Sequence, residues 1–113
     1  MQLFLPGVPQ IYYVGLLAGE NDMALLRQTG VGRDINRHRY SREQVEAALQ
    51  KPVVQALLEL IRARNRCKAF DGTFQLDAET DARRMAMHWT LGEHTATLRV
   101  DFDTLDCETA FSD

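Results

Sequence analysis

Cysteine is scarce: Cys67 and Cys107 are the only two in 113 residues. They have no metal-ligand spacing, and a pair this sparse is not a disulfide framework. Two unpaired thiols in a reducing cytoplasm are the simplest reading. No apolar stretch reaches the roughly 18 residues of a membrane-spanning helix. The start, Met1-Gln2-Leu3-Phe4-Leu5-Pro6, lacks the basic residues and long apolar core of a secretory signal, so a cytoplasmic protein is expected. A charge excess of one sign is also missing. The net charge of −3 is too mild to imply a nucleic-acid or membrane partner. No cofactor or metal is expected.

What is present is a globular composition, 45% hydrophobic and 26% charged, which excludes a disordered chain. The charge is unevenly placed. Residues 1–70 carry ten Lys/Arg against six Asp/Glu, net +4, whereas residues 71–113 carry three against ten, net −7. That shift predicts two structural regions meeting near Phe70-Asp71-Gly72.

The first region opens with an apolar run broken by Pro6-Gly7 and Pro9. Gln10–Val14 is then a short β-branched and aromatic stretch. Its near-continuous apolarity predicts a strand buried on both faces, as in a parallel sheet, and such a strand expects neighbours. A long connection, 18–40, follows, with a short helix over Met23–Gln28 ended by Gly30 and Gly32. A connection of that length is usually functional or disordered. Ser41-Arg42-Glu43-Gln44 reads as a capping box opening a helix over 42–49. Lys51-Pro52 opens a second helix, with Val54, Leu57, Leu58 and Ile61 on one stripe and Arg62, Arg64 and Arg66 crowding its end.

After Gly72 the period becomes two. Met85, Met87, Trp89 and Leu91 alternate with Ala86, His88 and Thr90. Across the turn Gly92-Glu93, Ala96, Leu98, Val100 and Phe102 alternate with polar residues. This predicts an antiparallel hairpin with one dry face, flanked by strands at Thr73–Leu76 and Cys107–Phe111. The overall expectation is α+β. Residues 1–69 would be the last βα unit of a (β/α)8 barrel, comprising its eighth strand, a long substrate-side loop and helices. Residues 70–113 would be a small antiparallel β-sheet domain. The loop after a strand of such a barrel lies on the catalytic face.

Three motifs carry a resemblance. Leu5-Pro6-Gly7-Val8-Pro9-Gln10-Ile11-Tyr12-Tyr13-Val14-Gly15 resembles the eighth barrel strand of the α-amylase superfamily, glycoside hydrolase family 13. Leu17-Ala18-Gly19-Glu20-Asn21-Asp22-Met23 and Gly32-Arg33-Asp34-Ile35-Asn36-Arg37-His38 closely resemble its sucrose phosphorylase subfamily. Ala69-Phe70-Asp71-Gly72-Thr73-Phe74 resembles the join to that subfamily's C-terminal β-domain. The resemblance covers nearly the whole chain and implies a C-terminal fragment.

The family implies a retaining mechanism. One carboxylate attacks the anomeric carbon, a second carboxylic acid protonates the leaving oxygen, and phosphate then takes the glucosyl group. The resemblance places these catalytic carboxylates upstream of the residues present here, so no catalytic residue is expected in this chain and the chain alone should be inactive. It implies instead a substrate-binding segment. Arg33 matches the arginine that hydrogen-bonds the glucosyl unit, while Asp34, Asn36, Arg37 and His38 would hold the loop and shape the rim. Where related sequences commonly carry an aromatic residue after the histidine, this chain has Arg39. A cation there would suit a charged acceptor such as a sugar phosphate or a glycerate. The implied partners are a glucosyl donor sugar and phosphate.

Other readings stand beside these. The basic and aromatic cluster from Arg33 to Tyr40 could face nucleic acid, but no wider basic surface accompanies it. Asp22 and Asp34 could be an acid–base pair. Met85, Met87 and Trp89 could stack on a sugar, though the core face of a sheet is simpler. His88 should point to solvent from its strand, and His94 should be exposed beside its turn. Finally, the chain could be a free-standing interaction module that buries Gln10–Val14 and its helix stripe by self-association, as a homo-oligomer or an aggregate.

Overall fold

The computed structural model describes residues 1–77 and 81–112. It is an α+β chain divided into two compact units, one formed by Met1–Pro9 with Ile61–Asp113, the other by Gln10–Leu60.

The first unit is built on a four-stranded antiparallel meander of β1 (Thr73–Leu76), β2 (Arg84–Leu91), β3 (His94–Asp101) and β4 (Cys107–Ser112), in sequence order. The period-two pattern sets its register: Met87 faces Leu98 and Trp89 faces Ala96 across β2 and β3. All four are buried, because alternate residues of a strand share one face. Gly92 sits at φ 60 and Glu93 keeps an ordinary φ, the Gly-first hairpin turn whose twist matches the strands.

The dry face is covered by aromatic rings. Phe4, in a 3-10 turn over Gln2–Phe4, is fully buried. It meets Phe70 edge-on at 5.3 Å and Phe111 at 5.8 Å. Trp89 lies 5.7 Å from Phe70 and 5.2 Å from Phe74. The edge and tilted geometries suit aromatic quadrupoles. Met85, Met87 and Trp89 therefore serve as a sheet face, not as a sugar platform. Arg64 caps the cluster, its guanidinium carbon 4.2 Å from the Phe70 ring centre.

Leu3 and Phe4 join this unit's core on the sheet's dry face. One expectation needs correction: His94 is half-buried, since its partner across the turn is Leu91 and it shares the apolar side. His88 stands on the opposite face of β2, as its phase predicts, where its two ring nitrogens reach Thr97 Oγ1 at 3.2 Å and Asp77 Oδ2 at 3.3 Å.

The second unit is helical. It holds α1 (Tyr13–Leu16), α2 (Met23–Thr29), a 3-10 turn over Gly32–Asn36, α3 (Arg42–Leu49) and the first part of α4 (Pro52–Arg66). The capping box is formed as read. Ser41 Oγ accepts the Gln44 N–H at 3.2 Å, and Gln44 Oε1 accepts the Ser41 N–H at 2.8 Å. The strand expected at Gln10–Val14 is absent. Residues 10–12 have no regular structure and Tyr13–Leu16 makes a single helical turn, with Leu16 N–H bonded to Tyr12 C=O at 2.9 Å. A strand satisfies its main chain only through neighbours, and no parallel strand exists among the described residues. The segment therefore closes its hydrogen bonds locally.

Candidate functional site

The site is built by the connection between α1 and α3, entirely within the second unit. Asp22 starts α2: its Oδ1 accepts the Leu25 N–H at 2.8 Å, the N-cap role that short acidic side chains perform well. Gly30 ends the helix at φ 67, returning its N–H to Leu26 C=O. Glycine adopts that left-handed conformation without a Cβ penalty. The chain then turns through Gly32–Asn36 and comes back to its start, where Asp22 N–H bonds Ile35 C=O at 2.6 Å.

The return is fixed a second time at His38. Its Nδ1 lies 3.0 Å from Asp22 Oδ2, and its carbonyl accepts the Tyr13 hydroxyl at 2.9 Å. Tyr40 stands edge-on to the imidazole, at 4.7 Å and 75°. Tyr40 in turn explains Gly19, where any Cβ would overlap the Tyr40 hydroxyl. Lys51 Nζ donates to Ala18 C=O at 2.9 Å, holding the loop's first bend.

The electrostatics follow from these contacts. The hydrogen bond from His38, and then the Leu25 N–H, hold the Asp22 carboxyl below its ordinary range. Partial loss of water, and then the neighbouring Tyr12, push the Tyr13 phenol upward.

An open concavity of about 610 Å³ is bounded by Tyr12, Tyr13, Asp22, Asp34, Arg37, His38 and Arg39. Three of the residues singled out from the sequence, Asp34, Arg37 and His38, thus meet in one place. Asp34 and Arg37 form a loose ion pair at 3.7 Å. Arg33 and Asn36 do not line this concavity. Both are exposed on the 3-10 turn, with no side-chain hydrogen bond or ion pair among the described residues. Asp22 and Asp34 are each engaged in holding the loop, which argues against their acting as an acid–base pair.

Sequence reasoning took Tyr12 and Tyr13 for strand residues and did not name Asp22 as a helix cap. The signal for Asp22 was available: an Asn-Asp pair directly before a helical pattern is a cap signature. A second concavity of about 500 Å³ lies in the sheet unit, with Arg84 and Arg99 among Asp77, Asp81, Asp101, Asp106 and Glu108. Its mixed charges are largely mutual neighbours, and it shares no residue with the loop. No cluster of three or more possible metal ligands occurs among the described residues. No described helix is long and apolar enough to cross a membrane.

No family model matches the chain. Individual proteins do. It is 47% identical over 113 residues to the glucosylglycerol phosphorylase of Marinobacter adhaerens, covering 100% of this chain and 23% of that protein. It is 50% identical over 102 residues to the sucrose phosphorylase of Agrobacterium vitis, covering 90% of this chain and 21% of that protein. The crystal structure of sucrose 6F-phosphate phosphorylase from Thermoanaerobacter thermosaccharolyticum superposes with a TM-score of 0.90 at 41% identity, over 99% of this chain and 23% of that one. The chain thus spans less than a quarter of the length of these relatives. It belongs with the sucrose-phosphorylase-like proteins of glycoside hydrolase family 13 and corresponds to their C-terminal region.

Proposed function

We propose that the chain is the substrate-binding C-terminal part of a retaining, sucrose-type glucoside phosphorylase, which transfers a glucosyl group to phosphate. The catalytic carboxylates lie outside these residues, and the chain alone is inactive. Within the parent, residues 1–69 complete a (β/α)8 barrel and residues 70–113 form its appended β-domain. Arg33 hydrogen-bonds the donor glucosyl unit, its planar guanidinium offering several donors to neighbouring hydroxyls. Asp34, Arg37 and His38 hold the loop behind that site, and Asn36 borders it from the same 3-10 turn. The observation that carries this reading is the loop itself: a 3-10 turn pinned at Ile35 and His38 that leaves Arg33 exposed and unpaired among the described residues. An arginine so placed is available to a ligand.

Two measurements test it. The purified chain should release no glucose 1-phosphate from sucrose or glucosylglycerol in phosphate buffer, and turnover by the chain alone contradicts the proposal. Co-expression with the remaining, unmatched part of the Marinobacter relative should restore phosphorolysis. R33A in the complemented enzyme should then lower kcat/KM by about 100-fold or more, as expected for a lost charge-assisted hydrogen bond at the reacting sugar. Undiminished activity in R33A removes the donor-site role.

A second reading, self-association, is favoured by exposed apolar side chains: Val8 is 89%, Leu105 82% and Val53 62% exposed. Light scattering on the isolated chain separates a discrete dimer, which supports an interaction module, from a monomer, which opposes it.

A further inference from the structure

We propose that Asp22 fixes His38 in the Nδ1–H tautomer, so that the Nε2 lone pair is held ready to accept a hydrogen bond from a hydroxyl of a neutral carbohydrate. This rests on the carbohydrate-binding reading above and assigns His38 a ligand contact in it.

The argument is one of donor and acceptor accounting. An ionised carboxylate only accepts. Asp22 gives Oδ1 to the Leu25 N–H and sets Oδ2 3.0 Å from His38 Nδ1. The Nδ1 atom must therefore carry the proton. Neutral imidazole has one donor and one acceptor nitrogen, so the lone pair resides on Nε2. Asp22 is ionised at neutral pH as an ordinary aspartate is, and the Leu25 N–H on its Oδ1 favours that form further.

The ring cannot swing freely to another arrangement. Main chain is tied on both sides of the pair, by Asp22 N–H to Ile35 C=O at 2.6 Å and by the Tyr13 hydroxyl to His38 C=O at 2.9 Å. The Tyr40 ring stands edge-on beside it.

Nε2 has no partner among the described residues, and the His38 side chain is 35% exposed. It borders the concavity that also holds Tyr12, Tyr13, Arg37 and Arg39. A cationic ligand would be repelled by the two arginines. A fully ionised oxyanion has no proton to give to a lone pair. A sugar hydroxyl donates to Nε2 and accepts from a guanidinium at once, while tyrosine rings suit the apolar face of a pyranose.

The test is nitrogen-15 NMR of histidine side chains in the 113-residue chain, with D22N as the informative variant. Asn caps a helix as well as Asp does, and its oxygen must remain on the Leu25 N–H. Its NH2 group then faces His38 Nδ1, which has to become the acceptor. Expected is Nδ1–H in the native chain, Nε2–H in D22N, and a glucose-dependent shift of Nε2 that the variant loses. Native Nε2–H, or no exchange of tautomer in D22N, overturns the assignment whether or not sugar binds. Glucose moving the Arg33 resonances but leaving Nε2 still removes the hydroxyl contact while sparing the donor-site proposal. Glucose moving neither overturns the carbohydrate role of both. A loss of the Leu25 amide signature in D22N would show a broken cap, and H38Q, whose side-chain oxygen can accept where Nε2 does, then serves as the second variant: retained glucose response supports the acceptor role and a lost one opposes it.

Discussion

The indole Nε1 of Trp89 donates to the main-chain carbonyl of Phe4 at 2.7 Å, joining residues 85 positions apart inside the aromatic core. The contact explains why the chain's first residues belong to the sheet unit. It also satisfies two buried polar groups at once, which a dry core demands. W89F keeps most of the apolar surface but orphans the Phe4 carbonyl. We expect it to lower stability by about 2 kcal/mol, from the lost bond, the unpaired acceptor and the smaller ring. Denaturant unfolding followed by near-ultraviolet circular dichroism reads this directly, and an unchanged midpoint would sink the contact.

Acid should weaken the sheet unit. Asp101 accepts the main-chain N–H groups of Thr104 and Asp103, which hold its carboxyl below the ordinary range. Asp81 is held down in the same way by Arg83 and Arg84. A depressed folded value gives stability that is fully present above the unfolded carboxylate value and lost as pH falls through the folded one. The urea midpoint should hold level above about pH 5 and decline below about pH 4. The double variant D81N/D101N should decline less steeply. An identical acid slope in that variant would assign the effect to other carboxylates.

Gly72 stands where β1 begins, and a Cβ there would overlap the Thr90 main-chain carbonyl. Thr73 pairs with Thr90 in the register, so the strand cannot draw back without losing its first rung. G72A should cost about 1–3 kcal/mol, typical of forced overpacking. Amide exchange on Thr73–Leu76 should accelerate first; a variant with native protection there contradicts the geometry.

Leu105 lies at φ 63 in the turn between β3 and β4 and is 82% exposed. A left-handed leucine pays a steric cost and here buries little in return. Asparagine visits that conformation readily, so L105N should raise stability by about 1 kcal/mol. A lower melting temperature in L105N would mean that Leu105 gains something from its surroundings.

The extent to which this protein could be read in advance differs by element. α3 was legible to the residue, because a capping box is a local device whose partners sit three positions apart. The β2–β3 hairpin was legible because its alternation and its Gly-first turn fix register without reference to anything else. Gln10–Val14 was misread because an apolar β-branched run states only that burial is favourable. Whether it becomes a strand depends on a partner strand to complete its hydrogen bonds. His94 was misplaced because its position beside a turn outweighed its phase in the alternation, whereas the sheet obeys the phase.

Within the candidate site, the motif Gly32–His38 named Asp34, Arg37 and His38, which border one concavity, but not the contacts that hold them there. Spacing could not reveal that Asp22, 16 residues before His38, closes on its ring, since nothing in a loop's sequence states which distant residue it returns to. By itself, then, the sequence determined α2, α3 and α4, the hairpin and its dry face, because capping and periodicity act over a few residues. Only the tertiary structure decided that Gln10–Val14 has no partner strand among the described residues, that Phe4 reaches Trp89 and that Asp22 meets His38, because each depends on groups far away along the chain.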